Sequence, residues 1–420
     1  MAGSELVVYR EYLGCFEEVG RVAPAHGEMS FAYSESYLQN RTSHSISRSL
    51  PLRPGAFSSR EAASFFNGIL PEGSMRRSLG RAFHAEADDA GAFLARLNDE
   101  SAGALVFSEE GRPPSENRGY VPLGESDLVR FAEHPGEFAP RAASRSRLSL
   151  AGAQMKVGLF FDASSGSWSY PQGTAPSSHI VKACDGSFPG QTVNEAICMG
   201  TAAELGFDVA PCRLIPVAGC EPLIAVERFD RIDAGDEFLR RLHQEDFLQA
   251  LPDCFEKYEP TDGNYANHCA WVVGEGSSNP FGDRRLLLSR LLLDWAMGNA
   301  DNHLKNHSML WSEDWSSREI SPLYDLTCTT VYPELDREMG VSFGRSRRID
   351  DVRWEDIRET ARACGVGVRF ACDELEELTE TFPAALRRAA EAVAEEGFPQ
   401  AEDVGRRIGA GFLERRDGLR

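Results

Sequence analysis

The chain has 420 residues, 42% of them hydrophobic and 26% charged, the balance of a folded protein long enough for two or three domains or lobes. Against 44 basic residues stand 65 acidic ones, leaving a net charge of −21 and a pI near 4.9, so the surface as a whole repels phosphate backbones and disfavours direct nucleic-acid binding. The ten cysteines form no CxxC and the nine histidines no HExxH, no run of about 18 apolar residues offers a membrane span, and the charged N-terminus MAGSELVVYREYLG lacks the core of an export signal, which together point to the cytoplasm and reduced thiols.

In chain order, residues 6–107 read as β-rich: LVVYREYLGCF, VGRVAP and EMSFAYSESYL are short alternating pieces, and SISRSLPLRPGAFSS resembles a strand ending in a Pro/Gly turn. Helices are predicted over 59–69 and 87–98. Residues 109–147 turn rich in Pro, Gly, Ser and charge and read as a linker with one short helix near 125–133. Strands follow in LSLAGAQMKVGLFFD and SHIVKACD, then a helix over 192–205 closed by Gly206, then strands in PCRLIPV and EPLIAVERFD. After residue 240 nearly everything reads helical: 244–251, 265–274, 284–298, 353–363, 372–380, 384–395 and 401–415. The predicted class is α+β. A β-rich module (1–110) and a linker (111–147) precede a small sheet-plus-helix lobe (148–230) and a helical C-terminal lobe (231–420), the order of a two-lobed kinase-like fold.

The chemistry concentrates in GNADNHLKN, which follows the apolar run RLLLSRLLLDWAM. Asp301 and Asn306 stand five apart. Phosphoryl transfer needs an oriented acceptor hydroxyl, a metal to neutralise phosphate charge, and positioning. An aspartate accepts the hydroxyl proton, and an asparagine five residues on presents an amide oxygen to Mg²⁺, a hard cation that keeps several waters. A second carboxylate is then required, and Asp325 in PLYD supplies it, with the strand-like HSMLW and ISPLY between. D-x-x-x-x-N alone occurs by chance, a lone Asp325 reads as a turn residue and a lone His303 as a structural hydrogen-bonder; order and spacing carry the reading.

On the nucleotide side, SLAGAQMK (149–156) offers small residues at a turn between strands, where a backbone can approach phosphates. Lys182 ends HIVK and can meet phosphates as a point charge, with Glu195 on the next helix as its candidate partner. Glu227, Arg228 and Phe229 follow a strand where backbone groups can reach an adenine edge.

Taken together and in one order, SLAGAQMK, HIVK with NEA, AVERFDR, LHQEDF with KYE, GNADNHLKN and PLYD resemble the HipA family, the serine/threonine kinase toxins of bacterial toxin–antitoxin modules. SFAYSESYL, SRSLPLRP, FFNGILPEG and SAGALVF extend the resemblance to the N-terminal module, so that it covers essentially the whole chain. It implies Asp301 as catalytic base, Asn306 and Asp325 as Mg²⁺ ligands, and ATP contacts from Ala151, Gly152, Ala153, Gln154, Met155, Lys156, Lys182, Glu227, Arg228, Phe229, Gln244 (opening a helix), His303, Lys305, Asn306, Tyr324 and Asp325.

The resemblance further implies autophosphorylation of Ser149, which expels the phosphate loop and switches the kinase off; a dianion beside ATP phosphates repels them. It implies an aminoacyl-tRNA synthetase as the protein substrate, and a helix-turn-helix antitoxin of HipB type that makes most of the DNA contacts. The chain departs from the general kinase pattern in lacking an HRD arginine and a DFG glycine, since Leu326 and Thr327 follow Asp325, and from the family in carrying Met155 where a charged residue is common. Two other readings stay open on the residues alone: a small-molecule phosphotransferase of the aminoglycoside- or choline-kinase type, and an inactive nucleotide-binding subunit. A repressor acting alone conflicts with the charge.

Overall fold

The computed structural model describes residues 5–25, 28–86, 89–97, 99–109, 112, 114, 118–124, 126–147, 150, 154–184, 186–261 and 263–419. They form two compact units, one of Met1–Asp185, Ile215–Phe255 and Leu310–Ser317, the other of Gly186–Leu214, Glu256–Met309 and Arg318–Arg420.

The first unit holds two larger sheets, beside the two-stranded pair Arg231–Ile232 and Arg240–Arg241. In one, Leu6–Tyr12 lies between Cys15–Ala25 and Leu105–Glu109, with Glu28–Tyr33 outermost. Phe31, Phe57, Phe65, Phe66 and Phe107 are almost wholly buried and in ring contact, an aromatic core that joins this sheet to the helix Ser59–Ile69. That helix starts with a full capping box between Ser58 and Glu61. The other sheet runs Gly119–Pro122, Ser167–Gln172, Lys156–Asp162, His179–Lys182, Leu223–Glu227.

Three readings change here. The segment 45–58 is not a strand: only Phe57 bridges the sheet, and the backbone is held instead by the Tyr33 hydroxyl, which accepts from Ile46 N–H and donates to the Leu50 carbonyl. The described residues of the expected linker are folded. They contribute the strand Gly119–Pro122 and two helices, Asp127–Glu133 and Pro135–Ser146, the second burying Ala139, Ala142 and Ala143. Pro135 suits the first turn of a helix, and the alanines make the apolar stripe that composition hid. Gln244 opens a short strand, Gln244–Asp246, rather than a helix; the helix Phe247–Ala250 begins after it, capped by Asp246.

The second unit is mostly helical. The apolar run becomes the helix Pro280–Met297, capped by Asn279, with Leu287, Leu288, Leu291, Leu292, Leu293, Trp295 and Met297 all buried. From Leu287 to Met297 every residue of it is buried, so this stretch lies at the centre of its unit. The two helices expected at 372–380 and 384–395 are one, Val368–Glu395, with Pro383 inside it and Leu375, Leu378, Phe382, Ala385, Leu386 and Ala389 on the buried stripe. Short strands accompany the helices, among them Glu338–Phe343 and Ser346–Arg348.

Candidate active site

Gly298 ends the central helix in the left-handed region, φ 81°, and gives its N–H to the carbonyls of Asp294 and Trp295. Arg415, from the helix Gln400–Gly418, donates to the carbonyls of Trp295 (3.0 Å) and Ala296 (2.9 Å), a cation at a helix C-terminus. The mount is therefore rigid. The polar residues after it close on themselves: the Asp301 carbonyl accepts from Asn306 Nδ2 at 2.8 Å and from His303 N–H at 2.9 Å, and the His303 carbonyl accepts from Asn306 N–H at 2.9 Å. The Asn299 side chain donates to Asp294 Oδ1 at 2.7 Å and accepts from Asp301 N–H at 3.1 Å. Thr329 ties in the segment after Asp325, its hydroxyl donating to the Gly298 carbonyl and accepting from Ala300 N–H.

Sequence reasoning missed the strand Glu338–Phe343 as part of this site. Gly340 N–H donates to the Ala300 carbonyl at 2.9 Å, and the Asn302 amide pairs with both backbone groups of Val341. A Cβ on Gly340 would stand 2.6 Å from His303 Cα, so only glycine lets the strand lie so close. Gly340→Ala is expected to lower stability by about 1–3 kcal/mol through overpacking and transfer by about 10²-fold through loop displacement. Thermal unfolding and a turnover assay check both.

Asn306 and Asp325 line one cavity with Arg290, Asp294, Asn299, His307 and Tyr324. Asp325 has φ 57°, an uncommon conformation for a residue with a side chain and one that concentrates at functional sites. The Asn306 amide is oriented by its partner: a carbonyl only accepts, so the nitrogen faces Asp301 and the oxygen is turned away from it. One neutral and one anionic oxygen at one cavity fit Mg²⁺, which takes few protein ligands. Among the described residues no group of three or more His, Cys, Asp or Glu side chains could hold a metal ion, so the donor set of a zinc or tight calcium centre is not found there. Tyr324 bridges the two halves of the site: its hydroxyl donates to the Lys305 carbonyl at 2.8 Å and contacts Ser308. Lys305 itself is buried in the short turn Leu304–Asn306.

Burial, reinforced by Lys257 and opposed by Asp301 and Asp325, pushes the His303 imidazole below its ordinary pKa. His303 is thus neutral at pH 7, with Nδ1 buried and unpartnered and Nε2 3.9 Å from Asp301. The Asp301 side chain is 49% exposed. Behind it, burial raises Asp294 to about 7 despite Asn299 and Arg290.

In the first unit Lys156 and Lys182 are direct partners across the antiparallel pair of strands, so they share a face of the sheet. Gln154 donates to the Ala183 carbonyl at 3.3 Å, and Met155 is buried, its carbonyl accepting from Ala183 N–H. Ser149, Ala151, Gly152 and Ala153 lie outside the described residues. Glu227 is exposed at the end of its strand and Phe229 is half-buried.

Arg228 N–H donates to the Ser178 carbonyl, its carbonyl accepts from Arg231 N–H, and its guanidinium is enclosed by Glu100, Asp230, Ser177 and the Ser101 carbonyl. Gln244 donates to Asp230 at 3.3 Å, on the edge of the same network.

Facing lysines on an antiparallel sheet and a self-closed Asp-x-His-x-x-Asn loop sharing a cavity with an aspartate are parts of a kinase-like fold. Comparison with known proteins gives the family. The family model for the HipA-like C-terminal domain matches residues 148–387, and that for the HipA N-terminal domain matches 15–108. Y4mE of Sinorhizobium fredii, a protein that carries a kinase name, is 34% identical over 87% of this chain and 88% of its own length. The serine/threonine-protein kinase toxin HipA of Shewanella oneidensis is 27% identical over 75% of this chain and 76% of its own. A solved structure of Shewanella HipA with HipB and operator DNA superposes with a TM-score of 0.81 at 20% identity, covering 99% of both chains, and so shares the fold. The chain belongs to the HipA family.

Proposed function

We propose that this protein is an ATP-dependent serine/threonine protein kinase acting as the toxin of a bacterial toxin–antitoxin pair. The observation that carries the reading is the loop closed by Asn306 on the Asp301 carbonyl, which leaves a half-exposed base beside an oxygen pair fit for Mg²⁺. Asn306 and Asp325 hold the magnesium, which when bound neutralises charge on the nucleotide phosphates. In the first unit Lys156 and Lys182 are the proposed phosphate contacts and the backbone of Glu227 to Phe229 the proposed contact to the base; in the second, His303 packs neutral beside Asp301. Asp301 takes the proton of a serine or threonine hydroxyl as its oxygen bonds the γ-phosphorus and the bond to the ADP oxygen breaks.

The relative's name, a serine/threonine kinase toxin, supports the acceptor class. The solved complex with HipB and DNA supports an antitoxin partner that supplies the DNA contacts this acidic chain disfavours. The family resemblance supports an aminoacyl-tRNA synthetase as target and Ser149 as the autophosphorylated off-switch in the cytoplasm of a bacterium. Expression in a host without antitoxin is expected to slow growth, and Asp301→Asn to restore it. Equal toxicity of the two forms would assign the arrest to sequestration instead of phosphorylation.

A further inference from the structure

The segment Glu256 to Pro260 has no regular structure, yet it is pinned to the site on both sides of one residue. The Lys257 carbonyl accepts from Leu304 N–H at 3.2 Å. Glu259 N–H donates to the Gly340 carbonyl at 3.0 Å, and the Glu259 carboxylate accepts from Ser342 N–H at 2.8 Å. Between these anchors stands Tyr258. Its hydroxyl donates to Asp301 Oδ1 at 2.5 Å, and its ring meets the His303 ring edge-on at 5.1 Å between centroids. The residue is nevertheless 46% exposed.

Asp301 is not placed by this contact. Its backbone is already fixed by Asn299, His303 and Asn306. What Tyr258 does is put a hydroxyl on the carboxylate oxygen, within the distance at which a general base meets the proton it removes. A half-exposed ring swings by side-chain rotation without unpacking a core, whereas its pinned backbone returns it to the same place.

We propose that Tyr258 is the resting occupant of the acceptor position. The inference rests on Asp301 being the base. The phenol holds the place that an acceptor hydroxyl takes, so a productive acceptor is one that displaces the ring: a hydroxyl on a peptide segment that supplies contacts of its own. Water and small alcohols, which lack such contacts, do not displace the phenol from Asp301 Oδ1, and ATP is not spent without a protein acceptor.

The test compares wild type, Tyr258→Phe, Tyr258→Leu and Asp301→Asn with Mg²⁺ and ATP. The readouts are ADP release without acceptor, and phosphate transfer to a degenerate serine-containing peptide mixture. In Tyr258→Phe, which keeps the ring against His303, acceptor-free ADP release is expected to rise about tenfold, the scale of one lost charge-assisted hydrogen bond, and the KM for peptide to fall. Tyr258→Leu is expected to do the same, and the added substitution Asp301→Asn to abolish the rise. Unchanged or reduced ADP release in both Tyr258 variants, with wild-type transfer intact, overturns the proposal and leaves the kinase reading standing. A wild type that neither releases ADP nor transfers phosphate overturns both.

Discussion

Asp301→Asn lowers phosphoryl transfer roughly 10²–10⁴-fold, the usual effect of removing a general base, and leaves nucleotide binding nearly unchanged. The split follows from the geometry. The amide is the same size as the carboxylate and still accepts from Tyr258, and the loop is closed by the backbone carbonyl of residue 301 and the Asn306 side chain, which the substitution does not touch. The fold at the site therefore survives and only the proton acceptor is lost. His303 does not take over, because burial keeps its imidazole below its ordinary pKa and its Nε2 points at the residue removed. Turnover with titrated acceptor, beside nucleotide affinity from calorimetry, separates the two effects. Equal loss of affinity and turnover would mean that Asp301 belongs to the nucleotide site.

Glu100→Ala is the substitution expected to cost most in stability. Glu11, Glu100 and Asp230 face Arg228, Arg231 and Arg241 in a network of buried charges whose signs balance. Glu100 is its centre: Oε1 accepts from Arg228, Arg231 and Ser177, and Oε2 from Arg241 at 2.6 Å. Removing it leaves guanidiniums buried without their counter-charge, at a cost of about 3–5 kcal/mol.

The same residue sets an acid limit. Burial alone would raise the Glu100 carboxyl, but Arg231, Arg241 and Arg228 hold it well below its ordinary value of 4.5. A depressed carboxylate stabilises the fold above its unfolded pKa, and that stability is lost as pH falls through the folded value. Denaturant midpoints of wild type are therefore expected to fall as pH drops below about 4.5, and those of Glu100→Gln to fall less steeply. A Glu100→Ala midpoint equal to wild type at pH 7 would show the network to be dispensable.

The parts of the site that repeat within a short stretch were legible in the chain. Asp301, His303 and Asn306 come from one loop, and the spacing that brings Asn306 onto the Asp301 carbonyl is a local property. The stem helix was legible for the same reason, since its leucines announce burial. What escaped reading depends on partners distant in sequence. Nothing in EMGVS says that Gly340 must touch His303, and nothing in KYE says that Tyr258 lies on Asp301; both facts arise when residues some forty apart are packed together. The partner of the Arg228 guanidinium escaped for the same reason, since Glu100 lies 128 residues earlier. The supposed linker misled through composition, for Pro135 at a helix start costs that helix nothing.

The most direct test of the central claim is intact-mass measurement with phosphosite mapping of wild type and Asp301→Asn after incubation with Mg²⁺ and ATP. The account predicts phosphate on the wild type alone, at Ser149. Bound ATP with no phosphate on either form, and none passed to any added protein, would contradict it.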